Sequence, residues 1–191
     1  MCIRDRDISV SDDFDFSIID YAVISPGIAG DHKVLNILRE KNIIIKGDLD
    51  LFFEYKKNTA KTIGVTGTNG KSTTVAMIRD ILVDAGYKAC ACGNFGIPLM
   101  DVVSSDYNFF VIELSSYQLE SNFYYMLDYG VLLNVTYDHI EHHKTLSNYI
   151  FQKLKIIKHS KNSIIVKCCE VIKKLKLSNI TDKSNSIITI N

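Results

Sequence analysis

Residues 62–74 read TIGVTGTNGKSTT. A β-branched run, Thr62, Ile63, Val65 and Thr66, feeds a turn carrying Gly64, Gly67 and Gly70, and Lys71-Ser72-Thr73 then opens a helical pattern. Together these make a phosphate cradle. Glycines without Cβ let the backbone wrap an anion, and the helix N-terminus offers unpaired N–H groups. The Lys71 ammonium reaches the outer phosphates, and the Ser72 hydroxyl can join a Mg²⁺ shell. General P-loop spacing asks for glycine where Val65 stands, so this is a variant loop. The bland alternative, a glycine-rich turn with an incidental lysine, accounts less well for a strand before it and a helix after it.

Outward from the loop, the alternation of strand and helix is regular. A helix is expected over 71–85, with Val75, Ile78, Ile81 and Leu82 at helical spacing and a stop at Gly86. Strands are expected at 88–92, ending in Gly93-Asn94-Phe95-Gly96, at 108–114, interrupted near its end by Glu113, and at 129–135, ending in Tyr137-Asp138-His139. A helix at 146–158, a strand at 163–166, a short helix at 170–175 and a strand at 186–190 complete the pattern. Upstream, 18–24 reads as a strand stopping at Ser25-Pro26-Gly27. A helix capped by Asp31 follows to about Glu40, then a strand at 42–46, a helix at 48–55 and a polar linker at Lys56-Lys57-Asn58. Near-continuous apolar strands separated by helices mean a mostly parallel sheet covered on both faces. The fold class is therefore α/β: a P-loop ATPase domain over 59–191, preceded over 1–58 by part of a small Rossmann-like α/β domain. A packing subdomain without a binding role is the plainer reading of residues 1–58.

Composition narrows the function classes. Lys and Arg total 22 against 22 Asp and Glu in 191 residues, so no global field draws the chain to nucleic acid or an anionic membrane. Hydrophobic content of 47% marks a globular chain. No apolar run approaches the roughly 18 residues that span a bilayer, and the N-terminus lacks an apolar signal region. A cytoplasmic protein is expected. Its five cysteines, Cys2, Cys90, Cys92, Cys168 and Cys169, lack zinc-ribbon spacing and read as free thiols.

In an open parallel sheet, ligands bind beyond the carboxyl ends of the strands. The cradle, Asn94, Glu113 and Asp138-His139 all fall at such ends and should meet on one edge. Their types suit phosphoryl chemistry, since a carboxylate and an imidazole can hold divalent cations while Lys71 offsets phosphate charge. Taken singly, Glu113 could be a solvated strand-end acid and His139 a loop histidine. Asp138, His139, Glu141, His142 and His143 could also be read as a zinc cluster, but one short stretch without zinc spacing argues against it.

With these residues in place, the chain resembles the Mur ligases, the ATP-dependent amino-acid ligases of peptidoglycan synthesis. Gly67-Thr68-Asn69-Gly70-Lys71-Ser72-Thr73 resembles their ATP loop, which explains the missing glycine at 65. Ser25-Pro26-Gly27-Ile28, Gly47-Asp48-Leu49-Asp50-Leu51-Phe52, Gly93-Asn94-Phe95-Gly96, Glu113 to Glu120 (ELSSYQLE) and Asn134 to His139 (NVTYDH) follow in the family's order. The resemblance covers about 18–166 and is greatest to the members that add D-glutamate.

It implies that ATP phosphorylates the carboxylate of UDP-N-acetylmuramoyl-L-alanine and that D-glutamate attacks the acyl phosphate. Residues 67–73 would bind ATP. The catalytic set would be Lys71, His139 and Lys153. Ser72 and Glu113 would hold one Mg²⁺, and His139 with Lys153, carbamylated by CO₂, the other. Ser25, Asn94, Ser115 and Gln118 would face the substrate. Periodicity does not distinguish Lys153 from Lys155 or Lys158, so that assignment rests on the resemblance. Glu141-His142 stands where the family usually has Asp-Arg. Family members have three domains, which implies that the amino-acid-binding domain is absent here and that these 191 residues do not turn over alone. A monomer is expected. The competing readings are another Mur-type ligase, folylpolyglutamate synthase, or a non-ligating nucleotide switch. No Asn-Lys-x-Asp guanine motif supports a GTPase.

Overall fold

The computed structural model describes residues 15–28, 30, 32–57, 59–120, 125–166 and 186–190. Two parallel sheets form. The smaller pairs β1 (Tyr21–Val23) with β2 (Ile44–Lys46), joined through α1 (Lys33–Glu40) and followed by α2 (Asp48–Tyr55). The larger has six strands: β3 (Lys61–Thr66), β4 (Ala89–Gly93), β5 (Phe109–Glu113), β6 (Leu127–Leu132), β7 (Ser160–Val166) and β8 (Ser186–Ile190). Their spatial order is β4-β5-β3-β6-β7-β8, and every pairing is parallel. The chain fills β3, β4 and β5 on one side and then crosses to place β6 on the other side of β3. That reversal makes a switch point beside the carboxyl end of β3, the position at which such sheets bind ligands.

Helices cover both faces. α3 (Lys71–Asp84) buries Val75 against Val65, Val111 and Val131 on one face. α4 (Leu99–Val102), α5 (Ser116–Glu120) and α7 (Leu146–Lys158) close the other, with Leu99, Leu119, Tyr149, Ile156 and Ile157 packed on Phe110, Ile112 and Leu132. α2 joins this second core: Phe52 is fully buried and meets Phe110 edge-on, ring centroids 5.0 Å apart. The first short helix of the loop after β6 is α6 (Ile140–His143).

The expected mostly parallel α/β fold is present, and the helices at 48–55 and 146–158 and the strand at 186–190 have the expected bounds. Other boundaries moved for physical reasons. β6 begins at Leu127, because Asp128 is buried as a ladder residue: its carboxylate accepts from the Thr62 N–H at 3.0 Å and from Lys161 at 3.0 Å. β7 begins at Ser160, whose hydroxyl turns back to the Ile156 carbonyl. His32 caps α1, accepting from the Val34 N–H, while Asp31 lies outside the described residues. So do Asn58, the helix expected at 170–175, Cys2, Cys168 and Cys169. Cys90 and Cys92 are buried free thiols.

Candidate functional site

Register brings the strand ends level. Val65 pairs with Glu113, Gly93 pairs with Glu113, and Thr66 pairs with Leu132, so the turns after β3, β4, β5 and β6 open on one edge. The turn after β4 needs its glycine. Gly93 has φ +101°, and a Cβ there would lie 2.6 Å from the Glu113 carbonyl oxygen. The close approach lets Asn94 hydrogen-bond across to Glu113 through both backbone and side chain.

Glu113 is buried and is the hub of the edge. Its Oε2 accepts from the Ser72 hydroxyl at 2.7 Å and its Oε1 from the Asn94 amide at 2.9 Å. A hydroxyl oxygen and a carboxylate oxygen held together at the mouth of a glycine loop form a hard-oxygen pair, the donor chemistry of Mg²⁺.

The loop 67–70 is tied down from the side by Asn134. Its Oδ1 accepts the backbone N–H groups of Thr68 and Asn69 at 3.1 and 2.9 Å, and its Nδ2 donates to the Asn69 carbonyl at 2.9 Å. Gly67 is buried, while Asn69 and Gly70 are exposed at the rim. Gly70, at φ +82°, hands the chain to α3, whose N-terminus has no side-chain cap and begins with Lys71, Ser72 and the exposed Thr73. Those amides are free for an anion. Lys71 Nζ donates to the Gly67 and Thr68 carbonyls at 3.1 and 3.0 Å.

Lys153 comes from α7, on the opposite face, yet reaches the same loop. Its Nζ donates to the Gly67 carbonyl at 2.8 Å, and the residue is only 2% exposed. Burial, helped by the Lys71 charge, pushes its ammonium down to about 7, against the pull of Asp138 and Glu113. Lys155 and Lys158 lie elsewhere, Lys155 donating to the Glu120 carbonyl.

His139 stands apart from the Ser72–Glu113–Asn94 set. It has φ +51°, with its N–H bonded to its neighbour Asp138 at 2.9 Å, and its exposed ring meets Tyr117 and Tyr149. Ser115 and Gln118 pair with each other, and the buried Gln118 amide also donates to Asp48 at 2.8 Å, linking α5 to α2. Ser25 lies in a different place, on the wall of a cavity of about 410 Å³ between the small sheet and α5, shared with Arg39, Lys46, Gly47, Tyr117 and Glu120.

Asn134, Tyr149 and Thr66 carry no site role in the sequence reading, although each touches the loop: Tyr149 OH bonds Thr68 Oγ1 at 3.0 Å, and Thr66 Oγ1 lies 3.5 Å from Lys153 Nζ. Asn134 alone carried a signal, as a polar residue ending an apolar strand pattern.

Residues 65–191 match the Mur ligase middle domain, about two thirds of the chain. The chain belongs to the Mur ligase family. It is 43% identical over 154 residues to the UDP-N-acetylmuramoylalanine–D-glutamate ligase of Wolbachia pipientis, a match covering 80% of this chain and 30% of that one. To the enzyme of the same name from Rickettsia prowazekii it is 42% identical over 149 residues, covering 78% and 33%. The chain thus spans about a third of the length of these curated Mur ligase relatives. Among solved structures, a Neisseria UDP-N-acetylmuramate:L-alanyl-gamma-D-glutamyl-meso-diaminopimelate ligase superposes with a TM-score of 0.61 at 20% identity, covering 89% of this chain and 58% of that one. A Helicobacter pylori folylpolyglutamate synthetase gives 0.56 at 15% identity, covering 75% and 49%. At these identities the structures speak for a shared Mur ligase fold.

Proposed function

We propose that this Mur ligase chain carries the nucleotide-binding part of an enzyme that joins D-glutamate to UDP-N-acetylmuramoyl-L-alanine, with ATP converted to ADP and phosphate. The observation that carries this reading is the meeting of the Ser72 hydroxyl, the Glu113 carboxylate and Asn94 at the lip of the Lys71 loop. Residues 67–73 wrap the ATP phosphates, with the amides at the start of α3 aimed at them. Lys71, now bound to its own loop carbonyls, swings its ammonium outward to the outer phosphates.

The donors fit Mg²⁺. Ser72 and Glu113 would hold a first ion, and His139 with Lys153 a second; bound there, the ions neutralise charge on the phosphates during transfer. Lys153 has the state its role asks for. An amine whose pKa lies near 7 is in large part unprotonated at physiological pH; that neutral form can add to CO₂ with loss of one proton, and the resulting carbamate turns a cation into an anion able to hold Mg²⁺. The substrate carboxylate then attacks the γ-phosphorus, the bond to the β-phosphate oxygen breaks, and ADP leaves. The amine of D-glutamate attacks the acyl carbon, phosphate departs and the amine proton is lost.

Residues 1–58 and 59–191 are proposed as the UDP-substrate and ATP units, with α2 forming the contact between them. The cavity of Ser25, Arg39 and Lys46 offers two cationic groups for a diphosphate. Asn94, Ser115 and Gln118 are proposed to border the reacting carboxyl. Support for D-glutamate comes from the names of the relatives.

Two measurements test the proposal. Calorimetric titration of this chain with ATP and Mg²⁺ should give saturable binding that Lys71→Ala abolishes. Incorporation of labelled D-glutamate should be assayed with this chain alone and fused to the remaining sequence of the Wolbachia relative. Product from the fusion supports the reading, whereas transfer of L-glutamate to a folate, or nucleotide binding without any ligation, overturns it.

A further inference from the structure

The contact between α5 and α6 gathers three metal-ligating side chains that the ligation chemistry leaves unused. Glu120 ends α5, and His142 and His143 lie side by side on α6. One ligand atom from each falls within 4.8 Å of the other two. His142 Nε2 is 2.5 Å from Glu120 Oε2, and His143 Nδ1 is 3.8 Å from the same oxygen.

We propose that Glu120, His142 and His143 form a binding site for a late first-row divalent cation of the Zn²⁺ type, separate from the Ser72–Glu113 oxygen pair. Two imidazoles and one carboxylate are a borderline-soft donor set, which favours Zn²⁺ over Mg²⁺, and three protein ligands leave a fourth position for water or a ligand group. Donors about 2.0–2.1 Å from a tetrahedral Zn²⁺ sit about 3.3 Å apart. The present separations need only small side-chain shifts to reach that spacing.

The buried member supplies a second, independent sign. His143 is 1% exposed, and its Nδ1 is shielded from solvent without a hydrogen-bond partner. Its other nitrogen is engaged: Nε2 lies 2.9 Å from the Ser116 hydroxyl. A ring whose Nε2–H donates to Ser116 points an unshared Nδ1 lone pair toward Glu120. That is how metal-bound histidines are oriented, one nitrogen fixed by a hydrogen bond and the other given to the ion. Burial lowers the affinity of His143 for a proton, despite the charge of Glu120, and so keeps the ring in its ligating neutral form.

Access comes through the cavity, because Glu120 and Tyr117 line it. A cation here would neutralise the acid on the cavity wall and tie α5 to α6. His142-His143 lacks a zinc spacing in sequence because the third ligand stands 22 residues before His142.

The test uses the tag-free chain with excess Mg²⁺, so that hard-oxygen sites are filled. Zn²⁺ is titrated in competition with a chromophoric chelator, and Co²⁺ serves as the spectroscopic probe. Expected are one Zn²⁺ per chain that Mg²⁺ does not displace and a Co²⁺ visible spectrum of tetrahedral intensity. Ser116→Ala should weaken Zn²⁺ binding by about tenfold, as a lost orienting bond does, and His142→Gln and Glu120→Gln by more. His142→Gln is the deciding variant, since its side chain keeps 15% exposure and its replacement spares the buried ring. Zn²⁺ affinity unchanged in His142→Gln and Glu120→Gln, or no Zn²⁺ retained by the parent chain, overturns the site. Neither outcome depends on ligation.

Discussion

Lys153 shows how one side chain can carry charge, packing and chemistry at once. Its ammonium is pushed from the ordinary lysine value of 10.5 to about 7, mainly because burial removes water from it. The unfolded chain therefore binds more protons than the folded one between those two values, and stability must rise with pH across that window. Urea unfolding of the parent chain should show this rise, and Lys153→Met should flatten it. Glu113 invites a different test. Glu113→Gln keeps one acceptor oxygen, for the Asn94 amide, and its NH₂ can donate to the Ser72 hydroxyl, but it removes the anion, so the fold should survive while Mg²⁺-dependent ATP binding weakens by at least about tenfold, readable by calorimetry. Much of this chemistry was legible in sequence, since Lys71, Ser72 and Glu113 announce themselves through glycines and strand ends. Lys153 was not. Three lysines lie in the second half of α7, and apart from the resemblance to the family only the contact with Gly67 separates Lys153 from the other two.

At the scale of elements, the site depends on how tightly neighbouring strands end. Gly93 has no room for a side chain beside the Glu113 carbonyl and holds a left-handed φ. Gly93→Ala should cost about 1–3 kcal/mol in unfolding free energy and disturb the Asn94–Glu113 pair, measured by denaturant midpoint and by ATP affinity together. β6 shows where patterning misled. A charged Asp128 reads as the end of a strand or a loop, yet it sits inside the ladder because the Thr62 amide and two lysines, Lys61 and Lys161, compensate its charge. Asp128→Ala would leave the buried Thr62 N–H unpaired, at a cost of about 1–3 kcal/mol, visible as a lower urea midpoint with an unchanged slope. Periodicity cannot see a partner 66 residues away. The same limit hid α5 and α6, five- and four-residue helices too short to show a repeat.

For the whole molecule, the two sheets share interior. Leu49 and Phe52 of α2 lie in one cluster with Phe110 and Leu119 of the larger unit. Phe52→Ala should cost about 3–5 kcal/mol and lower one common thermal transition, not split it into two, by calorimetry. The sequence supported a parallel α/β plan because buried strands are long apolar runs; it placed the polar 56–58 segment as a linker and gave no sign of how closely α2 packs across it.

Gly67 carries one carbonyl to which two ammonium groups, Lys71 and Lys153, both donate. The neighbouring Lys71 charge adds to burial in holding the proton affinity of Lys153 down. An incoming triphosphate that draws Lys71 outward leaves the oxygen to Lys153 and brings negative charge near both, so anion arrival and proton capture favour one another. Seen as an exchange with the solvent, the loop couples nucleotide capture to the buffer: heats of ATP binding should differ between buffers of unequal ionisation enthalpy, and that difference should vanish in Lys153→Met.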